Sequence, residues 1–194
     1  MKNKILVIIV IVVVLAAGIG IGIYLLGGEK EPTDGSEAGG GESVLEKNDF
    51  SIMMPKDWAE TAAPTGVSAM VVNVNEEVTE PEAQRINFKT YYTVVYDTLN
   101  QRSREEYFQG VAASLNQAVP GFVVVREGEE KIDNQDAYFV EAEFNQRDID
   151  FKILLVVFMG EGESVWIVTF NGLKSAWDDY KDSFYQVARS FKVH

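Results

Sequence analysis

The feature that most constrains this chain is an apolar run near its N-terminus. Ile5 to Leu26 are 22 consecutive residues that are all apolar or glycine. As a helix, such a run is about 33 Å long, which is enough to span a hydrocarbon core of about 30 Å. The apolar core of a cleaved signal peptide is shorter, about 7–15 residues. We therefore predict an uncleaved transmembrane anchor over residues 5–26. The alternative is a signal peptide cleaved near Ala16, Ala17 and Gly18.

Charges on either side of the run predict its orientation. Lys2 and Lys4 precede it, and the acidic residues Glu29 and Glu31 follow it. Because positive charge stays on the cytoplasmic side, residues 1–4 are expected inside and the rest of the chain outside. The expected location is the cytoplasmic (inner) membrane, crossed once, with the C-terminal domain outside the cytoplasm.

Two glycines in the run raise the question of self-association. Gly18 and Gly22 have the small-xxx-small spacing that lets two membrane helices pack closely. Glycine is also frequent in membrane helices that do not pair, and this second interpretation is the simpler one. A weak dimer through the anchor therefore stays a secondary hypothesis.

The remaining chain divides into a linker and a domain. Residues 27–44 are rich in glycine and acidic side chains and have little to bury, which predicts a flexible linker. Residues 45–194 are numerous enough for one domain with its own core. The formal net charge of −13 argues against nucleic acid and against anionic lipid headgroups as partners. The chain has no cysteine, so neither a disulfide nor a lipid-modified N-terminal cysteine is available.

Seven segments of the domain have the alternation or the apolar composition of β-strands. They are residues 50–54, 68–74, 85–97, 122–127, 137–145, 150–159 and 164–170. The last two are apolar on both faces along most of their length, which is typical of strands covered on both sides. The connections between most of these segments are short, so the strands are expected to pair as antiparallel hairpins.

Two amphipathic segments are predicted to be helices. The first begins with a capping box formed by Ser103 and Glu106, and the second with a similar pair, Ser175 and Asp178. Both have apolar residues at steps of three and four. The predicted fold class is therefore α+β: an α/β/α sandwich with a mostly antiparallel central sheet and helices on both faces, preceded by one N-terminal transmembrane helix.

The two ends of the domain carry short motifs of a known kind. Phe50, Ile52, Pro55 and Trp58 form the pattern aromatic-x-Ile-x-x-Pro-x-x-Trp, and the last predicted helix closes in Ser-Phe-x-Val, formed by Ser190, Phe191 and Val193. The chain resembles PsbP-like domains in these motifs and in the order of its elements. Those domains are α/β/α sandwiches related to the extrinsic oxygen-evolving subunit of photosystem II and to Mog-type Ran-binding proteins. The resemblance covers about residues 45–194. It implies a fold, and a membrane-anchored bacterial relative, without a photosynthetic function or cofactor residues.

Residue types limit the chemistry that the domain can perform. The single histidine is the C-terminal residue His194, and thiols are absent, so the usual ligands of zinc, copper, haem and iron–sulfur clusters are missing. No histidine is available in the core as a base for a nucleophile. The run from Gly160 to Trp166 resembles a nucleophile elbow, but tryptophan stands where glycine is required. A hairpin turn is the better interpretation.

Carboxylates are the abundant reactive groups. Glu141, Glu143, Asp148 and Asp150 lie close in sequence across a predicted turn, and oxygen ligands so placed are candidates for binding Ca²⁺. The spacing does not match an EF-hand loop. The simpler expectation is a solvated hairpin whose acids pair with Arg85 or Lys89 across the sheet.

Four tyrosines admit two interpretations. Tyr91, Tyr92, Tyr96 and Tyr107 would line a groove if exposed, but aromatic rings at such positions usually pack in the core.

These observations favour a non-catalytic accessory or binding module that is tethered outside the cytoplasm and acts through a protein partner, with no cofactor. The alternatives are a calcium-responsive subunit of an envelope or membrane complex and, less favoured, a carboxylate-based envelope hydrolase.

Overall fold

A computed structural model of the chain describes residues 42–132 and 135–194, and these form one α+β unit. Its ten strands are β1 Ser43–Glu46, β2 Phe50–Met54, β3 Trp58–Thr61, β4 Ala69–Asn73, β5 Tyr91–Thr98, β6 Val123–Ile132, β7 Gln135–Gln146, β8 Ile149–Met159, β9 Ser164–Leu173 and β10 Lys192–Val193. Its helices are α1 Pro81–Arg85, α2 Arg104–Ala118 and α3 Trp177–Arg189, with a 3-10 helix, Lys174–Ala176, directly before α3.

Most of the strands belong to one antiparallel sheet. Seven strands pair in the order β3-β4-β5-β9-β8-β7-β6, and every neighbouring pair in it is antiparallel. A small second sheet has the order β1-β2-β10 and is also antiparallel. Successive strands from β6 to β9 are separated by only a few residues in the sequence, which is why they pair as hairpins. The prediction of a mostly antiparallel sheet is confirmed.

The large sheet is covered by a helix on each face. Successive strand residues point to opposite faces. Accordingly, Tyr91 packs in the hydrophobic cluster that contains Phe108 and Val111 of α2, whereas Tyr92 packs in the cluster that contains Phe184 of α3. We call these the α2 face and the α3 face. Strands β8 and β9 are buried on both faces along most of their length, as their apolar sequences predict.

The motif around Pro55 ends one strand and begins the next. Pro55 follows β2, and Trp58 N–H donates to its carbonyl oxygen at 3.2 Å across a turn in which Asp57 has a φ of 66°. Asp57 therefore turns the chain, in a conformation that aspartate tolerates. β2 is the central strand of the small sheet, because β1 and β10 pair with it on either side. Trp58 is the first residue of β3 and is 8% exposed.

The predicted strand over 85–97 is only partly present. Arg85 ends the short helix α1, Asn87 has a φ of 50°, and the strand begins at Tyr91. Asparagine tolerates this left-handed conformation, which interrupts an extended chain. Phe88 consequently packs on the α2 face, opposite to Tyr92, whereas an uninterrupted strand over 85–97 would place both on one face.

The two predicted helix caps have different outcomes. Ser103 forms the full capping box: its Oγ accepts from Glu106 N–H at 3.1 Å, and the Glu106 carboxylate accepts from Ser103 N–H at 2.8 Å. The prediction of the second cap, at Ser175, is wrong. Ser175 lies within the 3-10 helix, the N-cap of α3 is Ala176, and the Ser175 hydroxyl donates to Glu80 instead. The 3-10 turn shifts the start of α3 past the serine.

The N-terminal boundary of the domain also differs from its prediction. Strand β1 starts at Ser43, where Ser43 and Val44 pair with Met54 and Met53, so residues 43 and 44 belong to the fold and not to the linker. Within the described residues, none of the helices is long and apolar enough to cross a bilayer. The predicted anchor at 5–26, its glycine pair Gly18 and Gly22, the cytoplasmic residues 1–4 and linker residues 27–41 lie outside the described residues.

Candidate functional site

The four candidate carboxylates lie on the β7–β8 hairpin. Arg147 and Asp148 form its turn, with φ angles of 54° and 63°. Two successive positive φ angles match the twist of an antiparallel pair, which explains why the hairpin closes in two residues. The register places Asn145 opposite Asp150 and Glu143 opposite Lys152. The predicted turn is therefore present, with Glu141 and Glu143 on β7 and Asp150 on β8.

Glu141 is buried beneath α3. It is 2% exposed, and its Oε1 accepts a hydrogen bond of 2.5 Å from the Tyr185 hydroxyl. Lys152 Nζ lies 3.6 Å from its Oε2, and the Arg126 guanidinium lies 3.7 Å from its Oε1. Burial is the main cause that raises the pKa of Tyr185, and the hydrogen bond to Glu141 raises it further. A charge removed from water in this way requires compensating partners, which these three side chains provide.

Glu143 is held by two lysines. Lys174 Nζ lies 2.5 Å from its Oε2, and Lys152 Nζ lies 3.5 Å from its Oε1. The hydrogen bond from Lys174 is the main cause that lowers the pKa of Glu143. The expected pairing of the hairpin acids with Arg85 or Lys89 is wrong. Strands β9 and β8 separate β5 from β7, so the segment that holds Arg85 and Lys89 is remote from β7.

The end of the hairpin opens into a cleft of about 220 Å³. Glu143, Asn145, Asp150 and Lys174 line it, and Asn145 Nδ2 donates to Asp150 Oδ1 at 2.8 Å. Glu143 and, more weakly, Asp150 raise the pKa of Lys174, which places the ammonium group in the field of both acids. The fold thus brings Glu143 and Asp150 to one cleft, whereas Asp148 lies at the turn and Glu141 is buried. Within the described part of the chain, no group of three or more acids or histidines is arranged to hold a metal ion.

Three of the four candidate tyrosines are core residues. Tyr91, Tyr92 and Tyr107 are fully buried, and burial raises the pKa of each. The Tyr92 hydroxyl donates to Met53 O at 3.0 Å, and the Tyr107 hydroxyl donates to Asp97 at 2.6 Å. Tyr96 is 45% exposed and packs edge-on against Trp166 with ring centroids 5.1 Å apart. The core interpretation therefore holds for three of them.

Two further clefts are polar, and one acid in each has a partner within the chain. In a cleft of about 460 Å³, Glu76 accepts hydrogen bonds from the backbone N–H and the hydroxyl of Thr90. In a cleft of about 530 Å³ that includes His194, Asp136 accepts from Arg104 at 2.8 Å. The sequence analysis predicted neither cleft. The first lies within residues 76–89, part of which was predicted to be a strand, and the walls of the second come from segments far apart in the chain.

The outer edge of the sheet at β6 is the most exposed part of the large sheet. Among the described residues, β6 pairs only with β7, and the register slips at a bulge between Val124 and Arg126. Val123 is 59% exposed and Val125 50%, although both are apolar. Sequence reasoning found this strand but could not tell that it lies at an edge, because β-strand alternation says nothing about the number of neighbours. We call residues Val123–Ile132 the β6 edge.

Solved structures of similar shape come from several organisms. Cyanobacterial PsbP (CyanoP) from Synechocystis sp. PCC 6803 has a TM-score of 0.60 at 15% identity, covering 84% of this chain and 98% of CyanoP. LpqN of Mycobacterium tuberculosis, which is involved in cell envelope biogenesis, has a TM-score of 0.59 at 11% identity, covering 78% of this chain and 90% of LpqN. The Ran-binding protein Mog1p of Saccharomyces cerevisiae has a TM-score of 0.54 at 11% identity, covering 80% of this chain and 96% of Mog1p.

No model of a known protein family matches the sequence, and no curated protein matches it either. The structural likeness therefore stands at the level of the fold. The chain has a PsbP/Mog1-like fold, as its terminal motifs predict.

Proposed function

We propose that this chain is a non-catalytic accessory module that binds a protein partner outside the cytoplasm. Its N-terminal segment tethers the module to the membrane. The observation that carries this proposal is that candidate carboxylates form ion pairs within the chain. Glu141, Glu143 and Asp136 are each paired with a cation of the chain itself. Groups neutralised in this way stabilise a fold and are poorly placed to exchange protons with a substrate.

The structural neighbours support the same class of function. Mog1p is a Ran-binding protein, and LpqN is involved in cell envelope biogenesis. A fold that serves as a binding module elsewhere is compatible with that role here, although function depends on the site and not on the fold. The apolar run at 5–26 and the charges around it support the proposed location.

The test is reconstitution with a defined partner. The full chain, solubilised in mild detergent, is used to isolate a stoichiometric partner, and binding is then measured between the two purified proteins. A saturable complex between purified components is expected. Addition of protease to intact, wall-stripped cells is expected to digest the domain. Protection of the domain from protease would contradict the proposed location, and turnover of a substrate without a stable complex would contradict the binding role.

A calcium-responsive subunit is the second candidate, favoured by the presence of Glu143, Asn145 and Asp150 around one cleft. Lys174 is already bound to Glu143 there, so Ca²⁺ would have to displace an ammonium group. We expect millimolar Ca²⁺ to leave the melting temperature of the wild type unchanged. A rise in the wild type that is lost in Glu143→Gln and Asp150→Asn would favour the calcium role instead. The same acids are the candidates for a carboxylate hydrolase, and assays with neutral-amide variants test that role in parallel.

A further inference from the structure

Among the described residues, no strand pairs with the outer side of the β6 edge. It offers 10 residues of extended backbone, whereas the opposite edge strand, β3, has 4. Its residues are largely exposed whether they point to the α2 face or to the α3 face. Exposed edges of this length pair with other strands unless something prevents it. The β6 edge is therefore a surface to which an extended segment can be added.

The charges along the edge are not balanced within the described structure. On the α3 face, Arg126 pairs with Glu141 and Glu130 with Arg189. On the α2 face, Glu127 and Glu129 stand opposite Val140 and Tyr138 in the register. Glu127 accepts from the neutral Tyr138 hydroxyl at 2.6 Å, and within the described residues neither glutamate has an ion pair with a cation. The edge thus presents two alternate glutamates about 7 Å apart.

These features define what can bind. We propose that the β6 edge binds an extended segment of a protein partner by strand addition, and that this segment carries lysine or arginine at two alternate positions, next to apolar residues. The basic side chains face Glu127 and Glu129, and the apolar ones cover Val123 and Val125. Backbone hydrogen bonds provide the pairing, and the side chains determine which segment is accepted.

A second copy of the chain is a poor occupant of the same edge. Two β6 strands in antiparallel pairing would bring the acidic side chains of both copies together on one face, and like charges placed opposite each other destabilise a sheet. The bulge before Arg126 also distorts one end of the edge, a feature that limits self-pairing in natural sheets.

This inference rests on the proposed binding function and specifies its surface. The probes are synthetic peptides as long as the β6 edge, 10 residues. The first has two alternate lysines beside valines. The second has glutamate in place of lysine, and the third is the lysine peptide with N-methylated backbone amides. Fluorescence anisotropy measures their binding to the full chain in mild detergent, and amide hydrogen exchange locates it.

The lysine peptide is expected to bind and to protect amides of β6 from exchange. The double variant Glu127→Lys/Glu129→Lys should weaken its binding by about tenfold and should favour the glutamate peptide. The matched control, Glu77→Lys/Asp182→Lys, changes the charge by the same amount at exposed positions elsewhere and should leave the preference unchanged.

Several results would overturn the inference. These are no binding of the lysine peptide, equal binding of its N-methylated form, equal effects of the two double variants, or formation of a dimer through β6. If the partner isolated with the full chain binds the Glu127→Lys/Glu129→Lys variant as well as the wild type, the β6 inference fails while the binding function stands. If no purified partner binds at all, the proposed function itself fails.

Discussion

Trp58 connects two strands and a helix at one point of the α3 face. Its ring stacks on Tyr92 with centroids 5.9 Å apart and meets Phe184 edge-on at 6.3 Å. The tryptophan that follows Pro55 is thus a core residue. Aromatic pairs in these geometries contribute beyond the area that they bury.

Replacing the Trp58 ring should strongly destabilise the fold. We expect Trp58→Ala to lower the free energy of unfolding by about 3–5 kcal/mol, because the cavity cannot close between a strand and a helix. Urea unfolding followed by far-UV circular dichroism measures the loss. Val123→Ala, at an exposed position, is the control and should cost far less. A loss below about 1 kcal/mol for Trp58→Ala would indicate that the ring is not buried.

Glu143 should make stability depend on pH. Its pKa is lowered in the folded state, mainly by the hydrogen bond from Lys174, relative to an ordinary value of 4.5. The ionised side chain therefore stabilises the fold fully above the unfolded pKa, and this contribution is lost as the pH falls through the folded pKa.

The variant Glu143→Gln isolates this effect. The wild type should be more stable than the variant at neutral pH, and the difference should shrink as the pH falls below the ordinary value. Carboxyl NMR of Lys174→Met should show the pKa of Glu143 moving up towards that value. A stability difference that is constant down to about pH 3 would contradict the assignment.

At the scale of elements, the sequence predicted those features that depend on contacts between residues close together in the chain. The capping box of α2 is a contact between residues three apart, and it was predicted from the sequence. The start of α3 was missed because a 3-10 helix, Lys174–Ala176, precedes it. The short strands β1, β3 and β10 and the helix α1 were also missed, since each has five residues or fewer and is too short to show a clear periodic pattern.

Ser103 and Ser175 allow the two predicted helix caps to be compared by mutation. Ser103→Ala removes one side of the capping box and should cost about 1 kcal/mol of unfolding free energy. Ser175→Ala removes only an exposed bond to Glu80 and should cost less than about 0.5 kcal/mol. Thermal unfolding of both variants gives the comparison. Equal losses would mean that Ser175 also caps its helix.

At the scale of the whole molecule, residues 43–194 contain everything that the described core uses. The two hydrophobic clusters draw on residues from Leu45 to Phe191. Since both clusters, as described, lie within this range, the fragment 43–194 is expected to fold alone and to unfold in one cooperative transition. Differential scanning calorimetry tests this. Broad, non-cooperative melting would show that the preceding residues are required.

A shorter fragment provides the control. Starting the chain at residue 50 removes β1 and with it the buried side chain of Leu45, so its melting temperature should fall by several degrees. If the two fragments melt together, β1 does not stabilise the domain.

Sequence alone determined the properties that depend on neighbours along the chain. Alternation and apolar composition identified β2 and the strands from β4 to β9, the all-apolar segments identified β8 and β9 as buried on both faces, and the terminal motifs identified the PsbP/Mog1-like fold. The hairpin of the four candidate acids was also predicted, because its turn is local.

Only the tertiary structure decided which residues meet across the fold. It paired Glu143 with Lys174 instead of Arg85 or Lys89, placed β2 between two strands, and left β6 at an edge. The physical reason is that a strand carries the same alternation whether it has one neighbour or two. Partners of a charge are likewise set by strand order, which arises from burying both faces of the sheet at once.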